Sequence, residues 1–332
     1  MGRMVNTVCG PVPSDKLGIV LAHEHIVFGF PGYQGDLSLN AFNREAMVET
    51  AAKHLSDLKK KYGLNTLVEA TPNECGRDVR LFKEISEKSG VNIICSTAYF
   101  LEDQGAPAYF FSRMDGHDVQ SEIYEIFDQE FNRGIEGTEI KAGVVKVCSS
   151  LGRITDYERL FFKAAGRIAA NNRDVRIITH TTQGTCALEQ AELLIESGAD
   201  PAQIQIGHFG GYLDIKGQKE VLSKGVYVAF DRMGMDDFYG MPEDRLRYQS
   251  IMALLEAGYG DRILLSNDWV LFKYGRKGDD STPLPQKVKI WNWTHLFEYD
   301  LPCLNKLGLS QAQCEMFVKQ NPAGFYGGKY TK

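Results

Sequence analysis

Side chains able to bind metal ions stand at the ends of several short apolar runs of this sequence. Four of its seven histidines lie at three such ends. His23 and His25 are two residues apart on an extended segment, so their rings point to the same side, as one metal ion requires of two ligands. Imidazole suits zinc and its first-row neighbours, and a carboxylate completes such a site. We therefore expect a metal site that combines these runs, formed by His23, His25, Lys146, His180, His208 and Asp268.

Lys146 lies late in the Val-rich run of residues 141–148, an unusual position for a charged side chain. Lysine is almost never fully buried unless it is paired, and burial favours the neutral form of its amine. A neutral amine there can bind a carbonyl substrate, or take up CO2 to become a carbamate whose two oxygens bridge two metal ions. The alternative is a strand-end lysine whose ammonium reaches solvent. The surrounding histidines favour the first interpretation.

Other reactive residues have simpler explanations. Cys148 is a possible thiolate ligand, but a small core residue is the better interpretation. Gly210 and Gly211, after His208, indicate a tight turn rather than a phosphate-binding loop. The three remaining histidines are expected to be surface or packing residues: His54, His117 and His295.

The elements that must position the site alternate along the chain. Eight apolar runs predict strands over Leu17–His23, Thr66–Ala70, Asn92–Tyr99, Gly143–Val147, Arg176–His180, Ile204–His208, Val226–Asp231 and Ile263–Asp268. Near-helical periodicity predicts helices between them, over Arg44–Tyr62, Asp78–Ser89, Asp118–Arg133, Asp156–Asn171, Thr185–Ser197, Ile215–Ser223 and Glu243–Ala257. Strands this apolar form a parallel sheet covered on both faces, either an open doubly wound sheet or a closed barrel. Eight units, and no GxGxxG or GxxxxGK motif after the first strand, favour an α/β fold of the (β/α)8 TIM-barrel type.

The remaining segments fit around this barrel. A short hairpin is expected over Met4–Pro13, and the aperiodic stretch Val270–Trp293 predicts a long lid loop over the top of the barrel. An apolar segment, Trp291–Leu307, and a helix near Ser310–Gln320 close the chain. A chain of 332 residues can form one barrel, so residues 1–332 are interpreted as a single domain.

Composition limits the partners and the compartment. The formal charge of −6 offers no basic surface for nucleic acid or an anionic membrane. No apolar run reaches 18 residues, and the N-terminus lacks the apolar core of a signal peptide. The seven cysteines have no CxxC spacing, which indicates free thiols in a reducing compartment. We expect a cytoplasmic protein that acts on a small molecule.

Motifs in a fixed order resemble those of the phosphotriesterase family of the amidohydrolase superfamily. On the predicted strands they are His-x-His on the first, Val-Val-Lys-Val on the fourth, Thr-His on the fifth, Gly-His on the sixth and Ser-x-Asp on the eighth. The resemblance also includes Asn6-Thr7-Val8-x-Gly10-Pro11 near the start and Asn321-Pro322-Ala323-x-Phe325 near the end. It therefore covers nearly the whole chain.

The resemblance implies a binuclear metal centre and a homodimer. His23, His25 and Asp268 would hold the more buried ion, and His180 and His208 the more exposed one. Carbamylated Lys146 and a hydroxide would bridge two divalent ions, with zinc expected and iron, cobalt or manganese as alternatives. Asp268 would accept the proton of the hydroxide as it attacks.

Two further positions resemble the phosphotriesterase-like lactonases. Tyr99 would place its phenol over the metals and help to polarise or orient a lactone carbonyl, and Arg232 would hold Tyr99 or a lid loop. Tyr99 and Arg232 therefore join Asp268 as expected catalytic residues. The run Phe209-Gly210-Gly211 lacks the Asp that dedicated phosphotriesterases carry there, whereas Ser266-Asn267-Asp268-Trp269 is closer to the phosphotriesterases.

The leading hypothesis is a hydrolase that opens N-acyl homoserine lactones or related γ- or δ-lactones by attack of a metal-bridging hydroxide, with promiscuous phosphotriesterase activity. Apolar residues 269–272 would contact an acyl chain. A phosphotriesterase, a carboxylesterase or a phosphorylated sugar lactone hydrolase is the alternative, for which Lys273, Arg276 and Lys277 would supply cations. A non-catalytic metal-binding barrel is the third interpretation.

Overall fold

The computed structural model describes residues 2–39, 41–276 and 290–328. Its strands are β1 Met4–Val5, β2 Val12–Pro13, β3 Ile19–Phe28, β4 Leu64–Glu69, β5 Asn92–Ala98, β6 Val144–Ser149, β7 Ile177–Thr181, β8 Ile204–Ile206, β9 Tyr227–Phe230, β10 Ile263–Leu265 and β11 Val270–Lys273. Its α-helices are α1 Arg44–Tyr62, α2 Val79–Ser89, α3 Ala108–Arg113, α4 Val119–Asn132, α5 Asp156–Asn171, α6 Ala187–Glu196, α7 Ile215–Ser223, α8 Asp244–Glu256, α9 Leu301–Lys306, α10 Gln311–Glu315 and α11 Asn321–Gly327.

The strands form the predicted barrel and hairpin. β1 and β2 pair antiparallel, with Met4 opposite Pro13. The other nine strands are parallel, in the order β10-β9-β8-β7-β6-β5-β4-β3-β11. β10 pairs with β9, and β11, which follows β10 in the chain, pairs with β3. Together β10 and β11 therefore form the eighth strand position and close the sheet into a barrel. The (β/α)8 prediction is confirmed.

The seven predicted helices agree with α1, α2 and α4–α8 to within two residues at each end. Local signals explain this agreement. Asn43 caps α1 by accepting from the Ala46 amide, and Gly63 ends it in the left-handed region. Thr155 and Glu158 form a reciprocal capping box at the start of α5. The short helix α3 was missed by the sequence analysis.

Two predicted strands were wrong in ways that affect the site. The first was expected to end at His23, but β3 continues to Phe28, so both histidines lie inside it, and its pairing with β4 shifts between Leu21 and Glu24. The eighth was expected over Ile263–Asp268, but β10 ends at Leu265 and the chain resumes as β11. The break lies where Asp268 has a φ of +52°, a backbone conformation outside the strand region.

The predicted lid, Val270–Trp293, is only partly described. Its first residues form β11, and residues 277–289 lie outside the described residues. After it, Leu296–Asp300 forms a π-helical turn leading into α9. The predicted helix near Ser310–Gln320 is α10, followed by a second π-helical turn and α11.

The core has two layers, one inside the barrel and one between sheet and helices. Alternation along β6 separates them, since Val144 belongs to the inner cluster whereas Val145 and Val147 belong to the outer one. Phe325 and Tyr326 of α11 join the inner cluster. Among the described residues, no helix has the length and apolar character needed to cross a membrane.

Candidate metal centre

All six predicted metal-site residues are buried and meet at the rim where the parallel strands end. Contacts between different strands or strand ends link them, and Asp268 joins the pairs, with its carboxylate oxygens 3.7 Å from His23 Nε2 and 3.8 Å from His208 Nε2. His23 Nε2 lies 3.0 Å from Lys146 Nζ. His25 Nε2 lies 3.2 Å from Asp268 Oδ1, and His208 Nε2 lies 2.8 Å from His180 Nδ1. The structure therefore brings the whole predicted set together.

Lys146 points into the barrel. Its amine lies 2.9 Å from the carbonyl oxygen of Ala70 as well as beside His23, and the residue is only 1% exposed. The alternative in which the ammonium reaches solvent is therefore wrong. An amine at this depth, surrounded by metal-binding side chains, has the position that a bridging carbamate requires.

Asp231 contacts one histidine from each expected metal position. Its Oδ2 lies 2.9 Å from His23 Nδ1, and its Oδ1 accepts from His208 Nδ1 at 2.9 Å and from the His208 amide at 2.7 Å. Burial alone would raise the pKa of Asp231, but the two imidazoles hold it well below its ordinary value. A carboxylate that accepts from Nδ1 fixes the tautomer and leaves Nε2 free to bind a metal. Sequence analysis assigned Asp231 no role, although it ends the seventh predicted strand.

His25 has a separate support. Its Nδ1 lies 2.6 Å from Thr71 Oγ1, which in turn lies 2.7 Å from Glu69 Oε1. The carboxylate of Glu69 also accepts from the Ile26 amide at 3.0 Å. Burial raises the pKa of Glu69 to about 7. Nothing in the sequence pointed to Thr71, because a threonine after a strand is ordinary.

The histidines are electrically suited to metal ions. Burial lowers the pKa of His25 to about 3 and that of His208 to about 4. Burial, together with the neighbouring His208 and Arg232, also holds the pKa of His180 well below its ordinary value. Neutral imidazole is the form that binds a metal, so these side chains need lose no proton near neutral pH.

Arg232 does not contact Tyr99 among the described interactions, contrary to one expectation. Its Nε donates to Asp268 Oδ2 at 2.8 Å, and its Nη1 lies 3.7 Å from the sulfur of Met241. Burial raises the pKa of Asp268, but His208 and Arg232 outweigh burial and hold it well below the ordinary value. The arginine therefore acts on the expected catalytic carboxylate itself.

Tyr99 lies on the other side of the sheet from the site. Its ring packs on Phe110, Phe127 and Phe161, with the nearest centroid, that of Phe110, at 5.1 Å. Alternation along β5 explains this, because Ile93 and Cys95 share its parity and belong to the outer core. The expected position of the phenol over the metals is therefore wrong, and a catalytic role for Tyr99 stays a prediction.

The aromatic residue beside the histidines is Phe100. Its ring centroid lies 5.8 Å from that of His180 and 5.6 Å from that of Phe28, which itself lies 5.3 Å from His25. Phe30 continues this row outward and is 47% exposed. The row is not apparent from the sequence, because the third predicted strand ends at Tyr99 and leaves Phe100 outside it.

The residues given simpler explanations mostly behave as expected. Cys148 is buried in a small apolar cluster with Phe100, and burial raises the pKa of its thiol to about 12, so it stays a thiol near neutral pH. Phe209–Gly211 forms the expected tight turn. His54 and His117 are exposed. His295 differs, because it is buried with its Nε2 3.5 Å from both Asp244 and Asp300.

The donor set fits divalent metal ions. Among the described residues, His23, His208 and Asp268 offer ligand atoms that all lie within 4.8 Å of one another. Each of the four buried imidazoles has a polar neighbour at its Nδ1: Asp231 for His23 and His208, Thr71 for His25, and His208 Nε2 for His180. A (β/α)8 barrel with four histidines, a lysine and an aspartate at this rim defines the class of metal-dependent barrel hydrolases.

Comparisons with known proteins name the family within that class. The model of the phosphotriesterase family matches residues 3–326. The aryldialkylphosphatase of Saccharolobus solfataricus is 30% identical over 319 residues, covering 95% of this chain and 96% of that protein. The structure of an organophosphorus hydrolase from Deinococcus radiodurans superposes with a TM-score of 0.93 at 40% identity, covering 98% of this chain and 97% of that one. A mutant of a phosphotriesterase-like lactonase from the same organism gives a TM-score of 0.93 at 41% identity, covering 97% of this chain and all of the other.

The chain belongs to the phosphotriesterase family. Members are binuclear metal-dependent hydrolases that act on small esters, lactones or phosphates. The protein is therefore an enzyme, as the sequence analysis predicted.

Proposed function

We propose that this enzyme opens N-acyl homoserine lactones or related γ- and δ-lactones, with phosphotriester hydrolysis as a weaker activity. One observation carries the proposal: an apolar aromatic row leads directly to the buried set of metal-binding side chains. Phe100 lies against His180, and Phe28 lies against His25. A lactone whose carbonyl reaches these histidines would lay an apolar substituent along that row.

The metal centre of this proposal is the predicted one. His23, His25 and Asp268 would hold one divalent ion and His180 and His208 the other, with carbamylated Lys146 between them. Zinc is the expected metal, with iron, cobalt or manganese as alternatives, since this donor set accepts all of them. Ions bound there would activate water as a nucleophile near neutral pH and would polarise the carbonyl.

The chain's own residues then perform three tasks. Asp268 Oδ1 and Oδ2 face the histidines and Arg232, where the carboxylate would accept the proton released during attack. Arg232, with its side chain 16% exposed, would keep that carboxylate ionised and oriented. Asp231 would hold the Nε2 atoms of His23 and His208 toward the ions.

The acyl contact is reassigned from the expected loop residues. Trp269, Leu271 and Phe272 are partly buried and pack against the outer core. Phe28, Phe30 and Phe100 instead form a row of contacting rings that runs from exposed Phe30 to the ligand histidines, so we assign the apolar substituent to them. These aromatic surfaces favour an acyl or aryl group over a sugar hydroxyl.

A phosphotriesterase or carboxylesterase is the second candidate, supported by the likeness to the aryldialkylphosphatase of Saccharolobus solfataricus. A phosphorylated sugar lactone has less support. Arg276 pairs with Asp36 at 2.7 Å, and Lys273 Nζ lies 5.7 Å from the centroid of the Phe30 ring. Lys277 lies outside the described residues.

We further propose that the chain works as a single barrel domain within a cytoplasmic homodimer. Light scattering coupled to gel filtration tests the dimer.

The deciding experiment combines metal analysis with a substrate panel, for the parent and for Lys146→Ala. The panel contains acyl homoserine lactones of increasing chain length, γ- and δ-lactones, aryl esters, a paraoxon-type triester and a phosphorylated sugar lactone. Two metals per chain and lactone opening in the parent, with both lost in the variant, support the proposal. Two metals with turnover only of esters or triesters favours the second candidate, and two metals with no turnover of any substrate in the panel shows that the enzyme acts on a different substrate class.

A further inference from the structure

The eighth barrel strand is interrupted at the residue expected to be both metal ligand and proton acceptor. Between β10 and β11, residues 266–269 leave the sheet ladder, and Asp268 adopts a φ of +52°. A non-glycine residue in the left-handed region costs about 1–2 kcal/mol. Such a conformation persists only where its surroundings enforce it.

A single buried carboxylate contacts both sides of this interruption. Glu24 is fully buried, and its Oε1 accepts from Ser266 Oγ at 2.6 Å and from the Asn267 amide at 2.7 Å. Its Oε2 accepts from the Trp269 amide at 2.8 Å. The two backbone amides flanking Asp268 therefore point at one side chain.

Strand β3 supplies the remaining hydrogen bonds of the interruption. The Asp268 amide donates to the His23 carbonyl at 3.1 Å, and the His25 amide donates to the Trp269 carbonyl at 2.9 Å. Ser266 Oγ also accepts from the His23 amide at 3.1 Å. Glu24 stands between the two histidines, so one tripeptide supplies both imidazoles and the contacts around Asp268.

We propose that Glu24 is a positioning residue, which fixes Asp268 against His23 and His25 by clamping the interrupted strand through three accepted hydrogen bonds. This inference rests on the proposed metal site but does not depend on the substrate. Only an acceptor suits the position, because a glutamine there would oppose one of its amide hydrogens to a backbone N–H or the serine hydroxyl. In the His-Glu-His tripeptide, the two histidines are thus expected ligands of one metal ion, and the glutamate positions Asp268, the third expected ligand of that ion.

The test uses Glu24→Gln and Ser266→Ala in the full-length, metal-loaded protein. We measure metal retention against a chelator, and the visible absorption of the cobalt-loaded protein, which reports ligand geometry. Glu24→Gln is expected to weaken metal retention about 10- to 100-fold, the usual effect of losing a residue that orients metal ligands. Ser266→Ala keeps both backbone contacts to Glu24 but removes the hydroxyl that donates to Glu24 and accepts from the His23 amide, so it is expected to weaken retention roughly five- to 100-fold, the effect of two hydrogen bonds.

A matched control is Glu158→Gln. Glu158 is also buried and accepts from the Ser150 hydroxyl at 2.6 Å and the Thr155 amide at 2.9 Å, but it caps α5. Glu158→Gln is expected to lower the melting temperature while leaving metal retention and the cobalt spectrum as in the parent. The double variant Glu24→Gln/Ser266→Ala should lose less retention than the two single losses combined, because both changes remove the Ser266–Glu24 contact of one clamp.

Parent-like retention and cobalt spectra in Glu24→Gln, or in Ser266→Ala if the first variant fails to fold, would overturn the inference. So would additive losses in the double variant. A parent that binds two metals but opens no lactone removes the proposed substrate and leaves this test intact. A parent that binds no metal overturns both.

Discussion

Arg232 Nε lies 2.8 Å from Oδ2 of Asp268, so the guanidinium is paired with the carboxylate that is expected to take a proton. We predict that Arg232→Gln lowers kcat at least tenfold for lactones, because the carboxylate loses its charge partner and its fixed orientation. Steady-state kinetics on the metal-loaded variant measure this. Arg113→Gln, which removes a partly exposed pair with Glu122, is the matched control and should keep the parent kcat. An unchanged kcat in Arg232→Gln would remove Arg232 from the proposed mechanism.

Phe100 and Tyr99 are neighbours in the chain but lie on opposite sides of the sheet, so their substitutions should have different effects on catalysis. Phe100→Ala should raise KM for long-chain lactones several-fold more than for short-chain ones, because the apolar contact beside His180 is lost. Tyr99→Phe should change kcat by less than about threefold, because its ring lies in the outer core and only its hydroxyl is removed. A larger loss of kcat in Tyr99→Phe would restore the catalytic role that the sequence resemblance implies.

Asp231 should be needed for metal binding although it is not an expected ligand. Asp231→Asn replaces one acceptor oxygen by a donor, so it cannot accept from both His23 and His208. We expect metal affinity to fall about 10- to 100-fold. Competition with a fluorescent chelator measures the affinity, and Asp214→Asn, the same change at the exposed N-cap of α7, serves as the control. Parent affinity in Asp231→Asn would contradict the assignment.

His295 should give the fold a stabilising charge that disappears in alkali. Burial lowers its pKa, but Asp244 and Asp300 outweigh burial and raise the pKa from 6.5 to about 10. Because the folded-state pKa is the higher one, the stabilisation is complete below about pH 6.5 and is lost as pH rises toward 10. At pH 7 the free energy of unfolding of His295→Gln should therefore be about 3 kcal/mol lower than that of the parent. Denaturant titration measures this difference. The difference should shrink steadily up to pH 10, and a difference independent of pH would show that His295 contributes packing alone.

The sequence predicted the barrel and the six site residues because both depend on local, repeated signals. Apolar runs with periodic helices between them identify the strands, and histidine, lysine and aspartate at successive strand ends identify the rim. The interruption at Asp268 has no such signal, since one Asp at the end of an apolar run does not by itself predict a break in the strand. The side of the sheet on which Tyr99 lies depends on the alternation of side chains along β5, and an error of one residue in the predicted alternation places the ring on the opposite side. The shared role of Asp231 depends on three strands meeting in space, and no single segment encodes that.

Asp231 binds two imidazoles through its two oxygens, one from each expected metal position. The two positions therefore cannot be tuned separately. A substitution that tilts His23 to favour a different metal also moves the carboxylate that orients His208, so the second position changes with the first. Attempts to redesign the metal preference of this enzyme must therefore change both positions together. Variants that change one ligand at a time would disturb the orientation of the histidine at the other position.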